Sequence, residues 1–262
     1  MIGIIDDGVQ HGHPDISANY ATALDHDARD GDGDAAPGTS GDNHGTTVAG
    51  TIAGAADNGI GGTGVAFGAT IAGFRMGYGN DGNTGQIVEN LTLQANVDIS
   101  NNSWGYGGFF GDDFSTAEFQ PAADAILNAV TEGRDGLGTV FVFAAGNGRE
   151  IGQDANYHSF QNTPHTIAVA ALDHNGQVAA FSTPGAPVLI SAPGVGIVTT
   201  DRTGTDGYVS GDYVSINGTS FSAPITSGLV ALMLEANPDL GYRDVQEILA
   251  YSARQTDSSS PG

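Results

Sequence analysis

The sequence predicts an α/β fold of three layers, a mostly parallel sheet with helices on both faces, on three observations. Short apolar runs alternate with segments of helical periodicity, the pattern of parallel strands joined by crossover helices. No internal repeat and no long linker divides the 262 residues, which read as one domain able to bury a substantial core. Cysteine is absent, so packing rather than disulfides must hold that core; thiolate zinc sites and cysteine nucleophiles are excluded on the same ground.

The first strand is expected at residues 2–5, where Ile2-Gly3-Ile4-Ile5 runs into Asp6-Asp7-Gly8. Further strands are expected at 70–74, 97–100, 139–144, 166–170 and 188–191. Helices are expected at 44–55, 85–94, 117–132, 222–236 and 242–253, the last two separated by the stop signal Asn237-Pro238-Asp239. Residues 25–34, DHDARDGDGD, carry five aspartates and read either as a solvated acidic loop or as a cation site. Glycine, at 41 residues, is about twice its usual share, so many tight turns follow. The SSSPG tail at 258–262 reads as disordered or trimmed.

Formal net charge is −23, with 24 Asp, 6 Glu and no lysine. Such a chain repels nucleic-acid backbones and anionic membrane surfaces, and draws in divalent cations and basic peptides. The longest apolar runs, 140–145 and 229–234, fall far short of the ~20 residues of a spanning helix. A signal peptide is not expected in the chain as it stands, and its start reads as a cut. The acidic excess suits a high-salt or an extracellular setting.

Four places put chemistry beside Gly-rich backbone. Asp6 ends the first strand at the carboxyl edge, where open α/β sheets bind ligands. His44 opens a helix whose next residues, Gly45-Thr46-Thr47-Val48-Ala49-Gly50, are small. Ser220 lies in Gly218-Thr219-Ser220-Phe221-Ser222-Ala223-Pro224, a turn leading into a helix. Asn147 follows the strand at 139–144 on a Gly146-Asn147-Gly148 turn. Each alone reads as a cap or turn former. Together they supply a weak nucleophile, a base, an anion to orient that base, and an amide donor for an oxyanion.

The segments DDG at 6–8, HGTTVAG at 44–50, GN at 146–147 and GTSFSAP at 218–224 resemble the subtilisin-like serine proteases, in that family's order of Asp, His and Ser. DDGVQHGHPDI, NNSWG, FAAGNGRE and LMLEANPDLGYRDVQEIL are similar to the kexin and furin branch. The resemblance runs from about residue 2 to 252 and implies a serine endopeptidase. Asp6 would orient His44, His44 would act as base and then acid, Ser220 would attack the peptide carbonyl, and Asn147 would hold the oxyanion. It also implies two structural calcium sites, one from Asp15, Asn58 and the carbonyls of Ala55, Ile60 and Gly62, the other from Asp25, Asp30 and Asp32. Thr183 stands where a third site would require glutamate. Substrate would lie along Ser103, Trp104 and Gly105 as an added strand. Carboxylates would make its pockets favour basic residues: Asp7 and Asp42 in the second pocket, Asp154 in the first, Glu89 in a more distant one. Tyr106-Gly107-Gly108 departs from the branch's proline and acidic cluster and weakens strict dibasic cleavage. A propeptide, secretion and missing segments at both ends are further expectations.

Two readings compete. His11-Gly12-His13-Pro14-Asp15 resembles the H-x-H-x-D run of metallohydrolases and would make a zinc enzyme, with Ile16 where another histidine is due. A non-catalytic calcium-binding module would account for the acidic loop and leave Asp6, His44 and Ser220 without a role.

Overall fold

A computed structural model describes residues 1–256, and the expectation for 258–262 lies outside them. The apolar runs become strands at Ile2–Asp6 (β1), His26–Asp27 (β2), Ile71–Arg75 (β3), Ile99–Asn102 (β4), Val140–Ala144 (β5), Thr166–Leu172 (β6) and Val188–Pro193 (β7). They join in the order β2-β3-β1-β4-β5-β6-β7, every neighbouring pair parallel. A separate antiparallel pair, Ile197–Thr200 (β8) and Tyr213–Ile216 (β9), follows. Helices span His44–Ala53 (α1), Thr84–Leu93 (α2), Gln120–Glu132 (α3), Ser159–Asn162 (α4), Thr219–Ala236 (α5) and Tyr242–Ser252 (α6).

Successive strand residues point to opposite faces, and the sequence fills both with apolar side chains, as a sheet covered on two sides requires. Ile4, Val140 and Val142 meet Val48 and Ile52 of α1 and Ala223 and Val230 of α5. Ile5, Phe141 and Phe143 point the other way, into a cluster with Ile87 and Leu91 of α2 and Ile126 of α3. From β1 the chain places β3 on one side and β4 on the other, so the direction of winding switches there. The carboxyl ends of β1, β3, β4 and β5 form the rim on which the chemistry collects.

The expected strands and helices are all present with shifted ends, while β2, α4, β8 and β9 were not expected. One displacement matters for function. Helix α5 begins at Thr219, three residues before the expected start, so Ser220 lies in its first turn. Pro224 lies inside this helix and cannot donate to the carbonyl four residues back, that of Ser220. Ser103 Oγ donates to that carbonyl instead, at 2.8 Å.

Candidate active site

Four rim segments converge. Asp6 closes β1 and is buried. Both its carboxylate oxygens face His44 Nδ1, at 2.9 and 3.1 Å. The approach depends on Gly45, where a Cβ would stand 2.4 Å from the Gly8 carbonyl oxygen and 3.0 Å from Asp6 Cβ. Asp7 fixes the same junction from the other side: its carboxylate accepts the His44 N–H at 3.0 Å and the Gly45 N–H at 2.7 Å, two of the donors a helix start leaves unpaired. Tyr78, just beyond β3, donates its hydroxyl to Asp6 Oδ1 at 2.8 Å.

These carboxylates share one buried corner. Burial, and then the Asp6 charge, push the Asp7 carboxyl up to about 7, although His44 and two backbone donors oppose the rise. Burial alone would lower the His44 imidazole, but the charge and hydrogen bond of Asp6, with the Asp7 charge, outweigh it and lift the group to about 9. Burial, then the Asp6 and Asp7 charges, raise the Tyr78 phenol well above its ordinary value, so it stays a donor.

Ser220 is the second residue of α5, next to Phe221, whose ring lies 5.9 Å from the His44 ring. Its hydroxyl donates to the Ser103 carbonyl at 3.2 Å. Asn147 stands on the turn after β5, where Gly146 has φ +107°, in the left-handed region glycine tolerates. Its Oδ1 accepts both the Thr219 N–H and the Thr219 hydroxyl, each at 2.9 Å. With the oxygen so engaged, the Asn147 NH2 is the end left to donate, beside the first-turn amides of α5. The arrangement can hold an anion at the α5 start, and Phe221 sets the helix turn that carries Ser220 against the His44 ring.

Ser103, Trp104 and Gly105 follow β4 and line two adjoining cavities. One, of about 240 Å³, includes Ser220, Asn147 and Thr183; the other, of about 820 Å³, includes His44, Asp7, Tyr78, Glu118 and Tyr208. The structure thus places His44 and Asp7 on one cavity and Ser220 and Asn147 on the next, with the 103–105 segment common to both and Asp6 hydrogen-bonded to His44.

It does not bring the other proposed pocket carboxylates there. Asp42 is buried against Arg75 at 2.9 Å and Arg29 at 3.2 Å, and accepts the Thr39 hydroxyl. Burial would raise Asp42, but the Thr39 and Arg75 contacts and the Gly38 amide hold it below the ordinary carboxylate value. Glu89, on α2, is paired with His26 at 2.7 Å. Asp154 accepts the backbone and side-chain N–H groups of Asn156 at 2.9 and 2.6 Å and caps a short turn. None of the three lines either cavity. Tyr78, Glu118 and Gln161 do, and sequence reasoning missed them; for Tyr78 the signal was a Gly-flanked tyrosine just past a strand ending at the same rim.

At the first expected cation site, Asp15 meets the 55–62 loop. Its carboxylate takes the Asn58 NH2 at 2.6 Å and a long contact from the Gly62 N–H at 3.4 Å, and its carbonyl takes the Ala55 N–H. Asp15 is buried and has no ion-pair partner among the described residues, a costly state that a cation would relieve. Left-handed backbone at Asp57, Gly59 and Gly61 lets the loop that carries Ile60 curl around it. The residues fit calcium, except that Asn58 presents NH2 to Asp15 and gives its oxygen to the Ile60 N–H, so its amide must turn over to ligate.

The second expected set does not converge. Asp25 accepts the Gly73 N–H, Asp30 pairs with Arg75 at 2.6 Å, and Asp32 accepts the Asp34 N–H. Arg75, extending from β3, neutralises much of this loop, binding Asp27, Asp30 and Asp42 together. Nor does the H-x-H-x-D run form a zinc site. His13 Nδ1 accepts the Asp15 N–H and its Nε2 meets the Asp212 carbonyl, while His11 turns to Asp34 at 3.2 Å.

Comparison with known proteins places this geometry. A family model described as the subtilase family matches residues 1–262. The chain is 35% identical to human proprotein convertase subtilisin/kexin type 4, over 97% of its own length and 34% of that protein's. The Aeromonas sobria serine protease, solved with a chaperone, superposes with a TM-score of 0.88 at 25% identity, covering 99% of this chain and 51% of that one. A cold-adapted subtilisin-like serine proteinase superposes at 0.78 with 26% identity, covering 98% and 84%. The chain therefore spans about a third of the curated relative's length.

Proposed function

The chain belongs to the subtilase family of serine endopeptidases, and on that premise we propose that it cuts peptide bonds through an acyl-enzyme on Ser220. The observation that carries the reading is the two-oxygen grip of Asp6 on His44 Nδ1, with the imidazole packed against the residue next to Ser220. Asp6 fixes the tautomer and leaves Nε2 to take a proton.

Substrate lies extended along Ser103, Trp104 and Gly105. Pairing with the Ser103 carbonyl takes away the acceptor that now holds the Ser220 hydroxyl, which rotates toward His44. His44 removes its proton as Oγ attacks the scissile carbonyl. The oxyanion forms against the Asn147 NH2 and the first-turn backbone of α5. The imidazolium then protonates the leaving amine, and water repeats the cycle on the ester. Tyr78, through Asp6, is a positioning residue.

A preference for basic substrates, suggested by the kexin-like relative, is supported by the net charge of −23 and by Glu118 on the larger cavity. Calcium held by Asp15 and the 55–62 loop would supply structural stabilisation away from the cleft. Family membership supports protein substrates, a propeptide and secretion as part of this reading; among the described residues no helix is long and apolar enough to cross a membrane. Ser220→Ala tests the reading: with a fluorogenic peptide, kcat should fall roughly 10⁶-fold, the scale on which this triad acts in its family. Retained activity would overturn it.

A further inference from the structure

The cavity of about 240 Å³ beside Ser220 and Asn147 is framed by two backbone segments, 103–107 and 144–148. With the reacting carbon at Ser220 and its oxygen at Asn147, it receives the side chain of the residue before the cut. Ala144, Ala145 and Gly146 make one wall small and apolar, and among the described residues no carboxylate lines the cavity.

The carboxylate behind it is Asp112, fully buried, which meets His158 Nδ1 at 2.9 Å and accepts the Phe160 N–H at 3.3 Å. His158 Nε2 faces Gln153 Oε1 at 2.8 Å, and the Gln153 NH2 donates to the Gly107 carbonyl at 2.6 Å. The Gln153 oxygen can only accept, so it is engaged by His158, and the Asp112 carboxylate is taken up by His158 Nδ1 and the Phe160 N–H and does not open onto the cavity. An ammonium or guanidinium entering this cavity would lose its water and find no counter-charge.

Gln161 lines the same cavity and is 4% exposed. Its NH2 donates to the Ala144 carbonyl at 3.0 Å, which fixes the amide, since turning it over would set two oxygens against each other. Its Oε1 is buried with no partner, an acceptor awaiting a donor. Trp104 Nε1, on the wall of that cavity, is likewise buried without an acceptor.

Resting on the peptidase reading above, we infer that this pocket selects an uncharged side chain whose end both donates and accepts hydrogen bonds, a carboxamide and glutamine foremost, and that Gln161 reads it. Basic residues are then favoured only at positions served by the larger cavity.

The test is cleavage of three peptides that differ only before the cut: Gln, the near-isosteric Met, and Arg. The full chain should cleave the Gln peptide about tenfold faster in kcat/KM than the Met peptide, with Arg slowest. Gln161→Met should bring the Gln-to-Met ratio close to one. The ratio is read within one preparation, so partial misfolding cancels, and if the variant does not fold the parent ratio decides. Preference for Arg, a Gln-to-Met ratio of one in the parent, or an unchanged ratio in the variant overturns the pocket assignment and leaves the peptidase reading standing. Cleavage of no peptide, with the parent matching Ser220→Ala, removes both.

Discussion

Replacing Arg75 with methionine should strip the acidic loop of its internal cation. The guanidinium is 2% exposed and reaches Asp27, Asp30 at 2.6 Å, Asp42 at 2.9 Å and the Asp7 carbonyl at 3.2 Å. Asp30 is 57% exposed and adds little once solvent screens it. Asp42 keeps Arg29 and the Thr39 and Gly38 donors. The main loss is therefore Asp27, whose buried charge would keep only the Arg29 and Asp30 backbone donors. Leaving one such charge uncompensated costs about 3–5 kcal/mol. In a protein of this size that lowers the melting temperature by roughly 6–20 °C. Urea and thermal unfolding of Arg75→Met beside the parent measure it, and Arg75→Lys should lie between them because an ammonium cannot span the same carboxylates. A loss below about 1 kcal/mol would refute the claim that Arg75 holds this loop.

Other consequences can be measured directly. Asn147→Ala should lower kcat roughly 10²–10³-fold with KM little changed, since the amide acts on charge that develops only in the transition state. Because His44 is lifted to about 9 and must be unprotonated to act, kcat/KM should fall as pH drops through an alkaline limb; Asp7→Asn removes one charge that stabilises the imidazolium, so the limb should move to lower pH. A limb that stays in place would show that Asp7 does not act on His44. Calcium at 100 times its Kd should raise stability by about 2.7 kcal/mol in the parent and by far less in Asp15→Asn, as thermal unfolding with and without a chelator would show.

The rim chemistry was legible because it is written in contiguous residues: an apolar run ending in Asp6, and glycines flanking His44, Asn147 and Ser220. The start of α5 was misplaced because Pro224 disfavours a helix interior, and nothing local in the sequence says that Ser103, from another strand, replaces the missing donor. Three of the four carboxylates assigned to substrate pockets, Asp42, Asp154 and Glu89, lie outside both cavities for a related reason. Whether Asp42 meets a substrate or Arg75 and Arg29 is decided by distant parts of the chain. So too with residues 25–34, where one arginine of β3 takes the place expected for a cation. Asp7 lines the larger cavity, yet its oxygens are spent on the start of α1.

Ser103 and Ser220 are tied twice, hydroxyl to carbonyl in each direction. A peptide laid along residues 103–105, as proposed, would thus tug on Ser220 too, and its register would reach that hydroxyl without any hinge. Swapping Ser103 for alanine would cut one of these tethers and should blur where along a chain the scission falls before it slows the chemistry itself.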